Sequence, residues 1–339
     1  MKSKARLVVV LGLLSAVTAV GQGQAEAPLP PPATDTIAPD IPGVVKGGTK
    51  VQVIVDGLKH TDGPVAMPDG TLLYWDFMDR RIGKIDPQGK PSTFLSNTDG
   101  SSAMGFDSKS RLVTTLKERP PANKIGVIWP KGSETILADN FEGKPFEGPN
   151  DLVVDRKDGV YFTLSGSGTV LYARPGAKVI KVFAHPVERI NGITLSPDEK
   201  ILYVATQSRV AKTTLSMADL PKEGGEYLLA FDVQPDGTLK NQRNFAKYEI
   251  VTHRPNGTPD VRFGGDGLTV DAQGRVYAAT AAGIQVFSPQ GQHLGTIPIS
   301  RNSNNLAFAG PAKKTLYIVA RGAVYKVPMI AEGYKGRAK

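Results

Sequence analysis

The sequence predicts an all-β protein: a six-bladed β-propeller whose ring is closed by its N-terminal strand. Three observations predict it. No long window sustains a helical period. One strand–turn–strand pattern recurs six times along the chain. The two ends of the repeat array leave complementary orphan edges.

The recurring pattern is an apolar strand, a turn of Pro, Asp or Gly, and a strand carrying a Tyr, Leu or Val motif. It begins at Val65 (VAMPDGTLLYWD), Met104, Leu152, Ile193, Leu268 (LTVDAQGRVYAA) and Leu306. Starts are 39, 48, 41, 75 and 38 residues apart, and the long interval holds an insertion at about 207–225. A second hairpin follows each of the first five copies, as in RIGKIDPQGKPSTFL and GIQVFSPQGQHLGTIPI. Two hairpins every ~40 residues make one four-stranded blade. The sixth copy lacks a fourth strand, and VQVIVDGL (51–58) is a strand without a blade. Joining them closes the ring.

Composition narrows the chemistry. With no cysteine in 339 residues and only four histidines, thiol catalysis, disulfides, iron–sulfur clusters and Cys-ligated zinc are excluded. Lys2, Lys4 and Arg6 precede an apolar run, Leu7–Val20, and then small residues. This order reads as a signal peptide over 1–25, so a periplasmic or secreted protein is expected. It accounts for three of the nine net positive charges. The remaining basic residues are scattered, so no nucleic-acid partner is expected, and no membrane contact once the signal is removed. Residues 26–49, rich in Pro, Ala, Thr and Gly, read as an extended linker without a core. The propeller is expected over 50–339.

Just before each repeat's first apolar residue stands a side chain bearing oxygen: Asp62, Ser102, Asn150, Asn191, Asp266 and Asn304. Innermost strands line a propeller's channel, so these positions are expected to ring one mouth. Carboxylates and amide oxygens suit a hard cation such as Ca2+, Mg2+ or Mn2+. The same residue types also form turns that bond their own backbone. His60, His185, His253 and His293 read as rim or loop residues. Trp75 and Trp129 read as packing residues. Ser165-Gly166-Ser167-Gly168 lacks the strand–Ser–helix context of a nucleophile elbow.

The runs TDGPVAMPDGTLLYWD, EGKPFEGPNDLVVD, RINGITLSPDEKILYVA and GGDGLTVDAQGRVYAAT resemble the senescence marker protein/gluconolactonase/luciferin-regenerating enzyme family. The likeness covers about 51–339. It implies a six-bladed propeller that hydrolyses sugar or related lactones with one divalent metal in its channel. Ca2+ comes first, with Zn2+, Mg2+ or Mn2+ as alternatives. Carried over, the metal ligands fall on Asp62, Asn150, Asn191 and Asp266. Ser102 and Asn150 would contact substrate. Asp266, or water activated by the metal, would act as the base. The chain departs from the family pattern at Asp62 (for Glu), Ser102 (for Asn), Leu164 and Thr206 (each for Asp). The expected partner is a small lactone. The alternative is a non-catalytic propeller that binds a sugar, peptide or protein at the same mouth.

Overall fold

A computed structural model describes residues 31–336, apart from 78, 99–101, 118–122, 185–188, 208–224 and 250–263. The expected signal peptide, residues 208–224 of the expected insertion, His185 and His253 lie outside the described residues. The described chain is built from antiparallel strands, and six of its sheets are the blades. In chain order, the first strands of the blades are Thr61–Ala66, Met104–Phe106, Pro149–Val154, Arg189–Leu195, Leu268–Val270 and Ser303–Ala309. Each packs against the first strands of its neighbours, which makes them the innermost strands around the axis. The five expected second hairpins form the outer halves of the first five blades, for example Arg81–Ile85 with Pro91–Leu95.

The ring closes as the sequence predicts. Lys50–Val55 pairs with Ala323–Pro328 and supplies the sixth blade's missing strand.

Alternation along the strands sets the core. In Leu72–Asp76, Leu72 and Tyr74 pack towards the sixth blade, whereas Leu73 and Trp75 pack towards the second. Repeated in every blade, this period of two produces six apolar layers, one in each seam between neighbours. Trp75 is buried in such a layer, and Trp129 packs on Phe94 with ring centroids 5.6 Å apart.

Residues 31–49 correct one expectation. They are not a linker without a core. Ala38, Ile41, Val44 and Val45 are buried against the fifth and sixth blades. Thr36–Ile37 adds a fifth strand to the sixth blade, and Lys50 reaches Asp35 at 3.2 Å. Proline and glycine dominate the composition here, but a few well-placed apolar side chains suffice to anchor the segment. A tight turn places three of them: the Val44 and Val45 N–H groups both donate to the Ile41 carbonyl.

Candidate active site at the channel mouth

Each ring residue stands at or just before the start of an innermost strand, so all six gather at one mouth. Blade-to-blade contacts at this level run around the whole circle. Ser102 Oγ donates to the Asn150 carbonyl at 2.5 Å. Asn150 Nδ2 donates to Asn191 Oδ1. Gly192 N–H donates to the Asp266 carbonyl at 3.0 Å, and Gly267 N–H to the Asn304 carbonyl at 2.8 Å. Asn304 Nδ2 donates to the Thr61 carbonyl at 3.0 Å, and Asn305 Nδ2 to Asp62 Oδ1 at 3.3 Å. Gly63 packs its Cα against Ala103, where an added Cβ would lie 3.0 Å away.

The Asn-Gly and Asp-Gly pairs follow from this crowding. A Cβ on Gly192 would fall 2.0 Å from the Asp266 carbonyl oxygen, and one on Gly267 2.0 Å from Asn305 Oδ1. Only glycine lets the fourth, fifth and sixth blades approach so closely. The close approach carries Asp266 to the backbone beside Asn191.

The expected residues separate into two groups. The side chains of Asn150 and Asn191 meet directly across a seam. Asp62 keeps one oxygen on its own Gly63 N–H at 2.8 Å and on Asn305. Asp266 is half-buried, and its N–H is fixed by the Ala279 carbonyl at 2.7 Å. These four oxygen donors, two of them carboxylates, suit a hard divalent cation. Among the described residues, no three His, Cys, Asp or Glu side chains gather, so a histidine-rich metal cluster is not formed there. Ser102, 7% exposed, directs its hydroxyl proton into the seam and leaves only oxygen lone pairs for another partner. Asn304, 4% exposed, likewise turns its amide to the backbone of the first blade.

Several supporting residues were not singled out in the sequence. Asp151 is buried, and its two oxygens accept the N–H groups of Leu152 (2.9 Å) and Ile193 (3.1 Å), stitching the third blade to the fourth. Thr163 Oγ1 donates to the Asn191 carbonyl at 2.8 Å. Gln207 Oε1 accepts from Asn191 Nδ2 at 3.3 Å. The signal for Asp151 and Asn305 was available: each directly follows a ring residue. The signals for Thr163 and Gln207 lie on the second strands, away from the motif.

Opposite Thr61 on the second strand of the first blade, the buried Asp76 pairs through Oδ2 with Arg81 Nε and Nη2, each at 3.0 Å. Burial is the dominant influence and holds the Asp76 carboxyl above its ordinary value, against the pull of Arg81. His60 meets Phe77 edge-on at 6.0 Å, and His293 lies 3.7 Å from Glu249 on an outer strand. Both are thus rim or outer residues. Leu164, where the family pattern has Asp, is 9% exposed and packs in the seam between the second and third blades.

Fold and mouth together define a six-bladed propeller with an oxygen-donor ring on its axis. The family described as SMP-30/Gluconolactonase/LRE-like region matches residues 60–322, and the chain belongs to that family. It is similar to the gluconolactonase of Zymomonas mobilis, at 26% identity over 321 residues, covering 86% of this chain and 84% of that protein. In fold it is similar to a gluconolactonase from Xanthomonas campestris, with a TM-score of 0.68 and 24% identity, over 89% of this chain and 98% of that one. It is also similar to the calcium-binding protein regucalcin from Agrobacterium tumefaciens, with a TM-score of 0.62 and 15% identity, over 84% of this chain and 95% of that one. Both structural likenesses establish the fold.

Proposed function

We propose that the protein hydrolyses a sugar or related lactone with the help of one divalent metal at this mouth. Family membership and the Zymomonas gluconolactonase support the reaction class. The observation that carries the site is the meeting of Asn150 and Asn191 across their seam, within the ring that also holds Asp62 and Asp266. The regucalcin likeness and the all-oxygen donor set favour Ca2+, with Mg2+, Mn2+ and Zn2+ as alternatives.

Asp62, Asn150, Asn191 and Asp266 would hold the cation, which when bound supplies Lewis-acid polarisation of the lactone carbonyl. The chain's own groups do the rest. Asp266 accepts the proton of the attacking water as its oxygen bonds to the carbonyl carbon. The ring C–O bond then breaks, the proton passes to the departing oxygen, and a hydroxy acid results. Asn150 and Ser102 orient the substrate, Ser102 through its oxygen lone pairs. Read as a signal peptide, the segment 1–25 supports a periplasmic or secreted setting for this activity.

The test is hydrolysis of glucono-δ-lactone, above its spontaneous rate, by protein stripped with chelator and then resupplied with each metal. Loss on stripping and recovery with Ca2+ is the expected result. Activity that survives stripping removes the metal from the reading. No activity on any lactone under any metal turns it to a binding propeller, which the seam-bound Ser102 hydroxyl and the apolar Leu164 would then explain.

A further inference from the structure

We infer that Gln207 is a positioning residue for this site: its side-chain carbonyl fixes which end of the Asn191 amide faces the other candidate ligands. The inference rests on the metal-dependent reading above and adds a residue outside the ligand set.

The two ends of an asparagine amide are nearly equal in shape and opposite in chemistry. The oxygen can ligate a cation, whereas the NH2 presents only donors and repels one. Some neighbour must therefore choose between them. Asn191 Nδ2 donates to Gln207 Oε1 at 3.3 Å, and with the Gln207 carbonyl facing Asn191 only this orientation of the Asn191 amide makes a bond. In that orientation Oδ1 receives Asn150 Nδ2 from the third blade. The oxygen thus faces the next candidate ligand, and the NH2 faces the second strand of its own blade. Asn191 is 6% exposed, so bulk water is a poor substitute for the Gln207 acceptor.

Gln207 is itself well placed to do this. It ends the strand Ile201–Gln207, pairs with Arg189 in the same sheet and bridges to Gly264 at the approach to the fifth blade. The adjacent Thr206 carbonyl accepts Gly265 N–H at 3.0 Å, and a Cβ on Gly264 would fall 2.0 Å from that same oxygen. One corner therefore touches Asn191 through a side chain and, through backbone, the segment that leads into Asp266. It couples candidate ligands from two blades.

The experiment measures Ca2+ affinity by titration calorimetry, and Tb3+ affinity by luminescence, on the wild type and four variants. Gln207→Leu removes the acceptor, and Gln207→Glu keeps it. Asn191→Asp presents oxygen at both ends and needs no choice, and the fourth variant combines Asn191→Asp with Gln207→Leu. Gln207→Leu is expected to weaken Ca2+ about tenfold, the lower end of the cost of losing a ligand-orienting partner. The melting temperature of its metal-free form should fall by no more than the few degrees that one lost buried hydrogen bond costs. Gln207→Glu should bind at least as well as wild type. In the Asn191→Asp background, Gln207→Leu should cost nothing further. Wild-type-like binding by Gln207→Leu, or an equal loss in both backgrounds, overturns the assignment. So does a fall in the metal-free melting temperature well beyond that of one hydrogen bond, which would make Gln207 merely structural. A wild type that binds none of Ca2+, Mg2+, Mn2+, Zn2+ or Tb3+ overturns the metal reading, and the inference with it.

Discussion

Asp266 and Asn304 occupy equivalent positions on adjacent blades, and the proposed function gives them different work. The Asn304 amide closes a seam, donating to the Thr61 carbonyl at 3.0 Å. Asp266 brings a full negative charge to the mouth, where Asn150 and Asn191 bring only dipoles. Asp266→Asn nearly preserves shape, so its effect should be electrostatic. Lactone hydrolysis is expected to fall by at least the ~10²-fold typical of losing an acid–base group, with weaker Ca2+ binding besides. Asn304→Ala should instead cost about 1 kcal/mol of stability and leave turnover within a few fold. Parallel kinetics, calcium titrations and melts of the two variants check this, and indistinguishable near-wild-type activity in both would sink the catalytic assignment. The ring was legible in the sequence because it sits at a fixed offset from six repeats. Gln207 and Thr163 were not, because side chains on a second strand reach the ring only once the blades are placed side by side.

At the level of elements, the hairpins were legible from alternation and turn residues, and the closing strand from two unmatched edges. The segment before it was misread because its average composition concealed four buried side chains. A chain that begins at Lys50 tests how much they matter. It would lose Ala38, Ile41, Val44 and Val45 from the layer between the fifth and sixth blades, along with the outer strand Thr36–Ile37. Fully burying a large aliphatic side chain is worth about 1.5–3 kcal/mol, so the truncation should lower unfolding stability by several kcal/mol. Denaturant melts of the truncated and longer chains check this. Equal midpoints would restore the linker reading.

Across the whole molecule, the candidate ligands are distributed over the first, third, fourth and fifth blades, and none comes from the second or the sixth. A cation held by all four would tie blades whose seams are otherwise apolar layers and a few hydrogen bonds at the axis. Binding to the closed ring but not to the unfolded chain stabilises by mass action, about 2.7 kcal/mol at a metal concentration one hundred times the dissociation constant. For a domain of about 300 residues each kcal/mol moves the melting temperature by about 1.5–2 °C, so saturating Ca2+ should raise it by roughly 4–5 °C. Asp266→Asn, which removes a ligand charge but no packing, should melt near the wild type without metal and lose most of the rise with it. Differential scanning calorimetry over a range of Ca2+ concentrations checks both statements. A full-sized rise in Asp266→Asn would place the cation away from the axis, and the four-blade site would have to be abandoned.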